Sequence, residues 1–168
     1  MGLTLLAASS LHAQQPKPPI MGWSSWNQFR INIDEQIIRG QADALVSSGL
    51  QKAGYYFINI DDGYFGGRDT SGKLFVNQKF SSGMPALVSY LHGKGLKAGI
   101  YTDVGANTCG SVYDKDSLGL GVGIYEHIAS DCQQFFKEWQ FDFLKVDWCG
   151  GEQMKLDGQT EYTKISKR

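Results

Sequence analysis

From Ile20 onward the chain repeats one unit: an apolar strand, a polar loop, an amphipathic helix, and a glycine before the next strand. Strands joined by helices must run parallel, because only a long crossover returns the chain to the same edge. Short strands are predicted around Ile20–Trp23, Tyr55–Asp62, Leu96–Thr102 and Phe141–Asp147. The first helix follows Asp34 and carries Ile37, Ile38, Ala42, Leu45, Val46 and Leu50 at helical spacing, with Gly54 ending it. Met84, Leu87, Val88 and Leu91 mark the second helix, and Ile128, Cys132, Phe135, Phe136 and Trp139 the third. Tyr162 to Arg168 opens a fourth, and the glycine-rich stretch between Gly63 and Gly72 reads as one long loop.

Such alternation gives an α/β fold with a helix-covered parallel sheet. It could be a doubly wound open sheet or the first half of a (β/α)8 TIM barrel. No Gly-x-Gly-x-x-Gly follows any strand, so the dinucleotide fingerprint of the first alternative is missing. The distinctive residues fall at strand C-terminal ends, where barrels carry their chemistry: Trp23, Asp61, Asp62, Tyr101, Asp103, Lys145 and Asp147. The reading is a TIM barrel truncated to about its first four β/α units, spanning residues 16–168. Such a half barrel would leave its first and fourth strands with open edges.

A net charge of −1, with no basic block, argues against nucleic acid or acidic membrane as a partner. No apolar run is long enough to span a bilayer. Residues 1–15, apolar and rich in small side chains before an abrupt polar and proline-rich stretch, read as a signal peptide, though no basic residue precedes the apolar run. That places the mature chain outside the cytoplasm. In an exported chain Cys109 and Cys149 are the candidate bridge, with Cys132 a third thiol inside a helix. Three reduced thiols is the other possibility. The cysteine spacing matches no metal site, and no cofactor motif is present.

Phe141 to Gly151 holds the strongest chemical signal. Lys145 and Asp147 stand two apart and so face one side of the strand, while Leu144, Val146 and Trp148 face the other. A lysine there favours the ionised carboxylate, which suits a nucleophile better than a proton donor. An ordinary buried ion pair is the bland alternative. Asp61 shares a face with Phe57 and Asn59 and points inward if Ile58 and Ile60 meet the helices; Asp62 opens the loop and can turn toward the same pocket. Tyr101 shares a face with Gly99 and Asp103. Four carboxylates at one sheet end could hold a metal, bind a sugar or cleave a glycoside. The neighbouring Trp23, Trp26, Tyr64, Phe65, Tyr101 and Trp148 suit the apolar face of a sugar ring, which a metal site does not need.

Five segments taken in order resemble glycoside hydrolase family 27, the α-galactosidases and α-N-acetylgalactosaminidases. They are Gly22-Trp23-Ser24-Ser25-Trp26-Asn27, Asn59-Ile60-Asp61-Asp62-Gly63, Phe80-Ser81-Ser82-Gly83-Met84, Lys94 to Asp103, and Lys145-Val146-Asp147-Trp148-Cys149; Ala42 to Leu50 also fits. The resemblance implies a retaining hydrolase on a β/α barrel, cleaving terminal α-linked galactose by double displacement. It makes Asp147 the nucleophile and Lys145 a sugar ligand. Asp61 and Asp62 would hold the galactose hydroxyls, and Trp23, Tyr101 and Cys109 would line the site, with Cys109 and Cys149 bridged. It implies a galactose-containing oligosaccharide or glycoconjugate as substrate, with no cofactor. The family's acid/base lies on a later strand, so these four units alone are expected to show no turnover. Two departures border the sugar site: Gly63-Tyr64 where many members carry Cys-Trp, and Trp148 after the nucleophile. They leave open a relative acting on a β-L-arabinopyranoside, an α-N-acetylgalactosaminide or an isomalto-glucan, or a sugar-binding remnant without turnover.

Overall fold

In the computed structural model, which describes residues 19–167, four strands form one parallel sheet: β1 (Gly22–Ser24), β2 (Phe57–Ile60), β5 (Lys97–Asp103) and β6 (Phe143–Asp147). Their order is β1-β2-β5-β6, so each new parallel strand joins the outer edge of the one before. A doubly wound sheet reverses direction at a switch point; these strands show no reversal. The residues 1–15 read as a signal peptide lie outside the described residues.

Two faces follow from the pleat. In parallel pairing, registered residues share a face, so Ile58 and Ile60 align with Ala98 and Ile100. All four are buried, and β2 and β5 meet α2 (Glu35–Ser47) and α3 (Met84–Gly93) on that side. The helices form where their sequences direct. Asp34 caps α2 by accepting from the Ile37 amide at 2.7 Å, a contact contributing about 1 kcal/mol. Ile38, Ala42 and Leu45 are its buried stripe; Met84, Leu87, Val88 and Leu91 are that of α3. The α2 helix stops at Ser47, and a separate 3-10 turn, Gln51–Ala53, precedes left-handed Gly54.

The other face carries Asn59, Gly99, Tyr101, Asp103, Phe143, Lys145 and Asp147 in registered rows. Chain leaving the strand ends on this side forms short helices that the periodicity did not reveal: α1 (Trp26–Phe29), α4 (Cys109–Tyr113) and α6 (Cys149–Gln153). They are too short to show a repeating apolar stripe. The stretch read as one long loop contains a hairpin, β3 (Phe65–Arg68) with β4 (Leu74–Val76), antiparallel and bulged near Gly67. Its strands are short, and Gly66-Gly67 hides their alternation. Helix α5 (Ile128–Gln133) runs into a π turn, Gln134–Glu138, so Trp139 falls just past the helical residues. Helix α7 is Gly158–Ser166, starting before Tyr162 because Asp157 caps it through the Thr160 amide. Among the described residues no helix is long and apolar enough to cross a membrane.

Candidate functional site

Lys145 is the centre of the inner face. Its ammonium lies 2.8 Å from Asp61 Oδ2 and 3.1 Å from Asp147 Oδ2, so one cation serves two carboxylates. Burial works against the charge on Lys145, but the hydrogen bond and charge of Asp61, with those of Asp147, outweigh it and hold the lysine pKa above its ordinary value. The same ammonium stands 5.2 Å above the Tyr101 ring, close enough for a cation–π contribution. The pair predicted two residues apart on one strand face is therefore assembled, with Asp61 added from β2.

Asp61 is held from every side. Its Oδ1 accepts from the Asp62 amide at 2.9 Å, its Oδ2 takes the Ser24 hydroxyl at 3.3 Å, and its own amide donates to Ser25 Oγ at 2.9 Å. Ser24 reaches it because β1 registers Ser24 beside Asn59, in the row that ends at Asp61. Asp62 turns the other way. It is fully buried, accepting from the Gly110 amide at 2.6 Å and the Gly63 amide at 2.8 Å, so it faces the start of α4. Burial pushes its carboxyl pKa up to about 6, against the pull of Thr108 and those two amides. The turn that places it needs glycine: Gly63 has φ +108°, and a Cβ there would stand 2.6 Å from the Ile31 carbonyl oxygen.

Asp103, registered beside Asp147, is a clamp. It is fully buried, and its Oδ1 accepts from the amides of Gly105 (2.8 Å), Gly150 (2.9 Å) and Gly151 (3.3 Å). Burial raises its pKa, and these amides only partly offset that. A Cβ on Gly105 would lie 2.1 Å from the Gly150 carbonyl carbon, so the loops after β5 and β6 can touch only through glycine. The Cys109–Cys149 disulfide ties the same loops with a Cα–Cα distance of 5.1 Å. It closes 40 residues, about 4 kcal/mol in the chain-entropy account. Cys109 Sγ lies 3.6 Å from Asp147 Oδ2 and borders the carboxylate. Among the described residues Asp103, Cys109 and Cys149 also form a tight group of metal-ligand types, but both sulfurs are spent in the bridge.

Accessibility separates the four carboxylates. The Asp147 side chain is 33% exposed, Asp61 is 1% exposed, and Asp62 and Asp103 are sealed. A ligand arriving from solvent meets Asp147 and Lys145 first.

The aromatic residues are placed differently from the sequence expectation. Tyr64, Phe65 and Tyr101 are wholly buried rather than lining an open sugar wall. Tyr64 stacks on Phe65 at 4.0 Å and donates its hydroxyl to the Tyr101 carbonyl at 2.8 Å, while the Tyr101 hydroxyl accepts from the Cys109 amide at 3.0 Å. Phe65 of the hairpin meets the Tyr101 ring edge-on at 6.4 Å, and Tyr101 is the floor beneath Lys145. Trp148 stacks on Tyr162 of α7 at 5.8 Å. Trp23 registers beside Ile58, in the row facing away from the carboxylates, and meets Phe29 edge-on at 6.1 Å. Trp26 instead stands just beyond the end of β1, half-buried, with the Arg30 guanidinium 4.6 Å over its ring. Arg30 also grips Asp114 through both oxygens, at 2.8 and 2.9 Å. The signal for Trp26 was present in the Trp-Ser-Ser-Trp spacing, since only the second tryptophan lies past the strand.

The family model described as Alpha galactosidase A (Melibiase_2) matches residues 18–168. The Alpha-galactosidase A of Cellvibrio japonicus is 43% identical over 148 residues, covering 88% of this chain and 34% of that protein. The Alpha-galactosidase of Coffea arabica is 44% identical over 151 residues, covering 89% and 37%. The solved alfa-galactosidase of Saccharomyces cerevisiae superposes with a TM-score of 0.76 at 32% identity, over 89% of this chain and 32% of the other. The chain thus spans about a third of the length of the relatives it matches. The family-model match over residues 18–168, with relatives more than 40% identical, shows that the chain belongs to the alpha galactosidase A family of glycoside hydrolases.

Proposed function

We propose that this chain carries the nucleophile side of a retaining α-galactosidase active site. The carrying observation is that Asp147 is the one solvent-accessible member of the four carboxylates, held at 3.1 Å by the ammonium that also binds Asp61. In the first step an Asp147 oxygen attacks the anomeric carbon, a carbon–oxygen ester bond forms, and the glycosidic bond breaks as its oxygen takes a proton. Water then cleaves the ester and releases the sugar. Retention needs a second carboxyl group roughly 5–5.5 Å away as acid. Asp61 does not suit that role, because both its oxygens are engaged as acceptors.

The acid is assigned to a later strand of the barrel, of which these four units form the first half. Two features support this: among the described residues β1 and β6 each have a neighbour on one side only, and the chain covers about a third of its relatives. Lys145, with Asp61 behind it, would fix the galactose hydroxyls, and Cys109 would border the ring. Passage to an oxidising compartment fits the Cys109–Cys149 bridge.

A fluorinated α-galactosyl fluoride tests the assignment, because fluoride leaves without a proton donor. Mass spectrometry of the treated chain is expected to find the sugar esterified to Asp147, with no adduct on the Asp147→Ala variant. An adduct on any other residue, or none, overturns the nucleophile assignment.

A further inference from the structure

Behind Asp62 and Gly110 lies a second concavity, a groove of about 500 Å³. Loops leaving the C-terminal ends of three strands wall it: Ile31 after β1, Gly63 and the stretch from Phe75 to Lys79 after β2, and Asp116 with Leu118 after β5. It is built from loops at the same end of the sheet as Asp147, and none of its lining residues belongs to the Lys145–Asp61–Asp147 cluster.

Its main feature is Phe75, 48% exposed on a rigid support. A Cβ on Gly66 would stand 2.7 Å from the Phe75 ring, and one on Gly67 3.0 Å, so the ring rests on bare backbone. The hairpin beneath cannot easily yield. The Gln134 amide accepts from Leu74 N at 3.1 Å and donates to Leu74 O at 2.8 Å. On the partner strand Arg68 pairs with buried Asp131 at 2.6 Å and donates to the Gly72 and Gly123 carbonyls. A plate already ordered loses little entropy when something stacks on it.

The rim indicates what stacks. Lys79 and Asp116 put one charge of each sign on the groove, which favours a neutral ligand over a phosphate or an acidic peptide. Asp116 Oδ1 accepts from the Leu118 amide at 3.0 Å, and its second oxygen has no hydrogen-bond partner among the described residues. Lys79 is bonded through its backbone amide to Asn77 Oδ1, and its ammonium has no carboxylate partner among them either. A rigid aromatic face, one acceptor and one donor match a pyranose, with an apolar face of C–H groups and a rim of hydroxyls.

We infer that this groove is a second saccharide subsite, taking a neutral hexopyranose unit of the oligosaccharide whose terminal galactose is removed at Asp147. The identity of that oligosaccharide rests on the proposed activity; the groove's affinity for a pyranose does not.

The test is nuclear magnetic resonance titration of the nitrogen-labelled chain, separately with mannotriose, which carries no galactose, and with galactose. Mannotriose is expected to shift the amides of Gly63, Gly66 and Asn77 with a dissociation constant on the order of millimolar. Phe75→Ala should weaken that binding at least about tenfold, and Phe75→Tyr should keep it, with the galactose response at Lys145 unchanged in both. Mannotriose leaving those amides unmoved, or binding Phe75→Ala as tightly as the parent, overturns the inference. Galactose failing to move Lys145 while mannotriose still moves the groove supports the subsite and counts against the reading of the galactose site.

Discussion

At the scale of the residue, Asp62 turns burial into a pH dependence. Its folded pKa, about 6, lies above the ordinary 3.8, so between those values the folded chain holds a proton that the unfolded chain has released. Its contribution to stability is present below about pH 4 and is lost as pH rises to about 6, a total of about 3 kcal/mol. Chemical denaturation at pH 4 and pH 7 is expected to show that drop in the parent relative to Asp62→Asn, which cannot ionise. Equal pH dependence in the two proteins would remove desolvation as the cause. The sequence exposed the chemistry of this residue but not its direction. Asp61 and Asp62 are adjacent and alike, yet one ends in the Lys145 row and the other under α4, because successive side chains leave the strand end on opposite sides and left-handed Gly63 then turns the chain after Asp62.

At the scale of the element, the β3–β4 hairpin depends on a buried ion pair. Arg68 and Asp131 are 9% and 1% exposed and come from elements far apart in the chain. Removing one partner leaves the other charge buried and uncompensated, typically 3–5 kcal/mol. Arg68→Met is expected to lower the urea-unfolding free energy by about that amount, with Arg68→Met/Asp131→Leu recovering most of it. A double variant no more stable than the single one would mean that the carbonyl contacts of Arg68, not the charge pair, hold the hairpin. Helices α2 and α3 were legible because thirteen and ten residues display an apolar stripe, to which Asp34 adds a start signal for α2. The hairpin was not, since four-residue and three-residue strands with two adjacent glycines carry too little pattern.

At the scale of the whole molecule, the parallel sheet has two open flanks. Among the described residues strands β1 and β6 pair on one side each, and every residue of β6 is only half-buried. Unpaired edges recruit other strands. Sedimentation velocity of this chain is expected to show an average mass that rises with concentration. A monomer at every concentration tested would mean that the edges are already satisfied. The disulfide and the Asp103 clamp act at this scale too. Both join the loops after β5 and β6, so the accessible carboxylate keeps its position at the end of β6 beside β5.

The amino-acid order by itself determined the run of parallel strands and helices, because apolar period and capping signals are local. It also determined that Lys145 and Asp147 share a face, because side chains alternate along a strand. Only the tertiary structure decided which carboxylate solvent can reach and that Lys145 bridges two of them. It alone buried Tyr64, Phe65 and Tyr101 and took Trp23 out of the row. Those outcomes depend on what packs across from each residue, and contacts between distant parts of a chain leave no periodic mark in it.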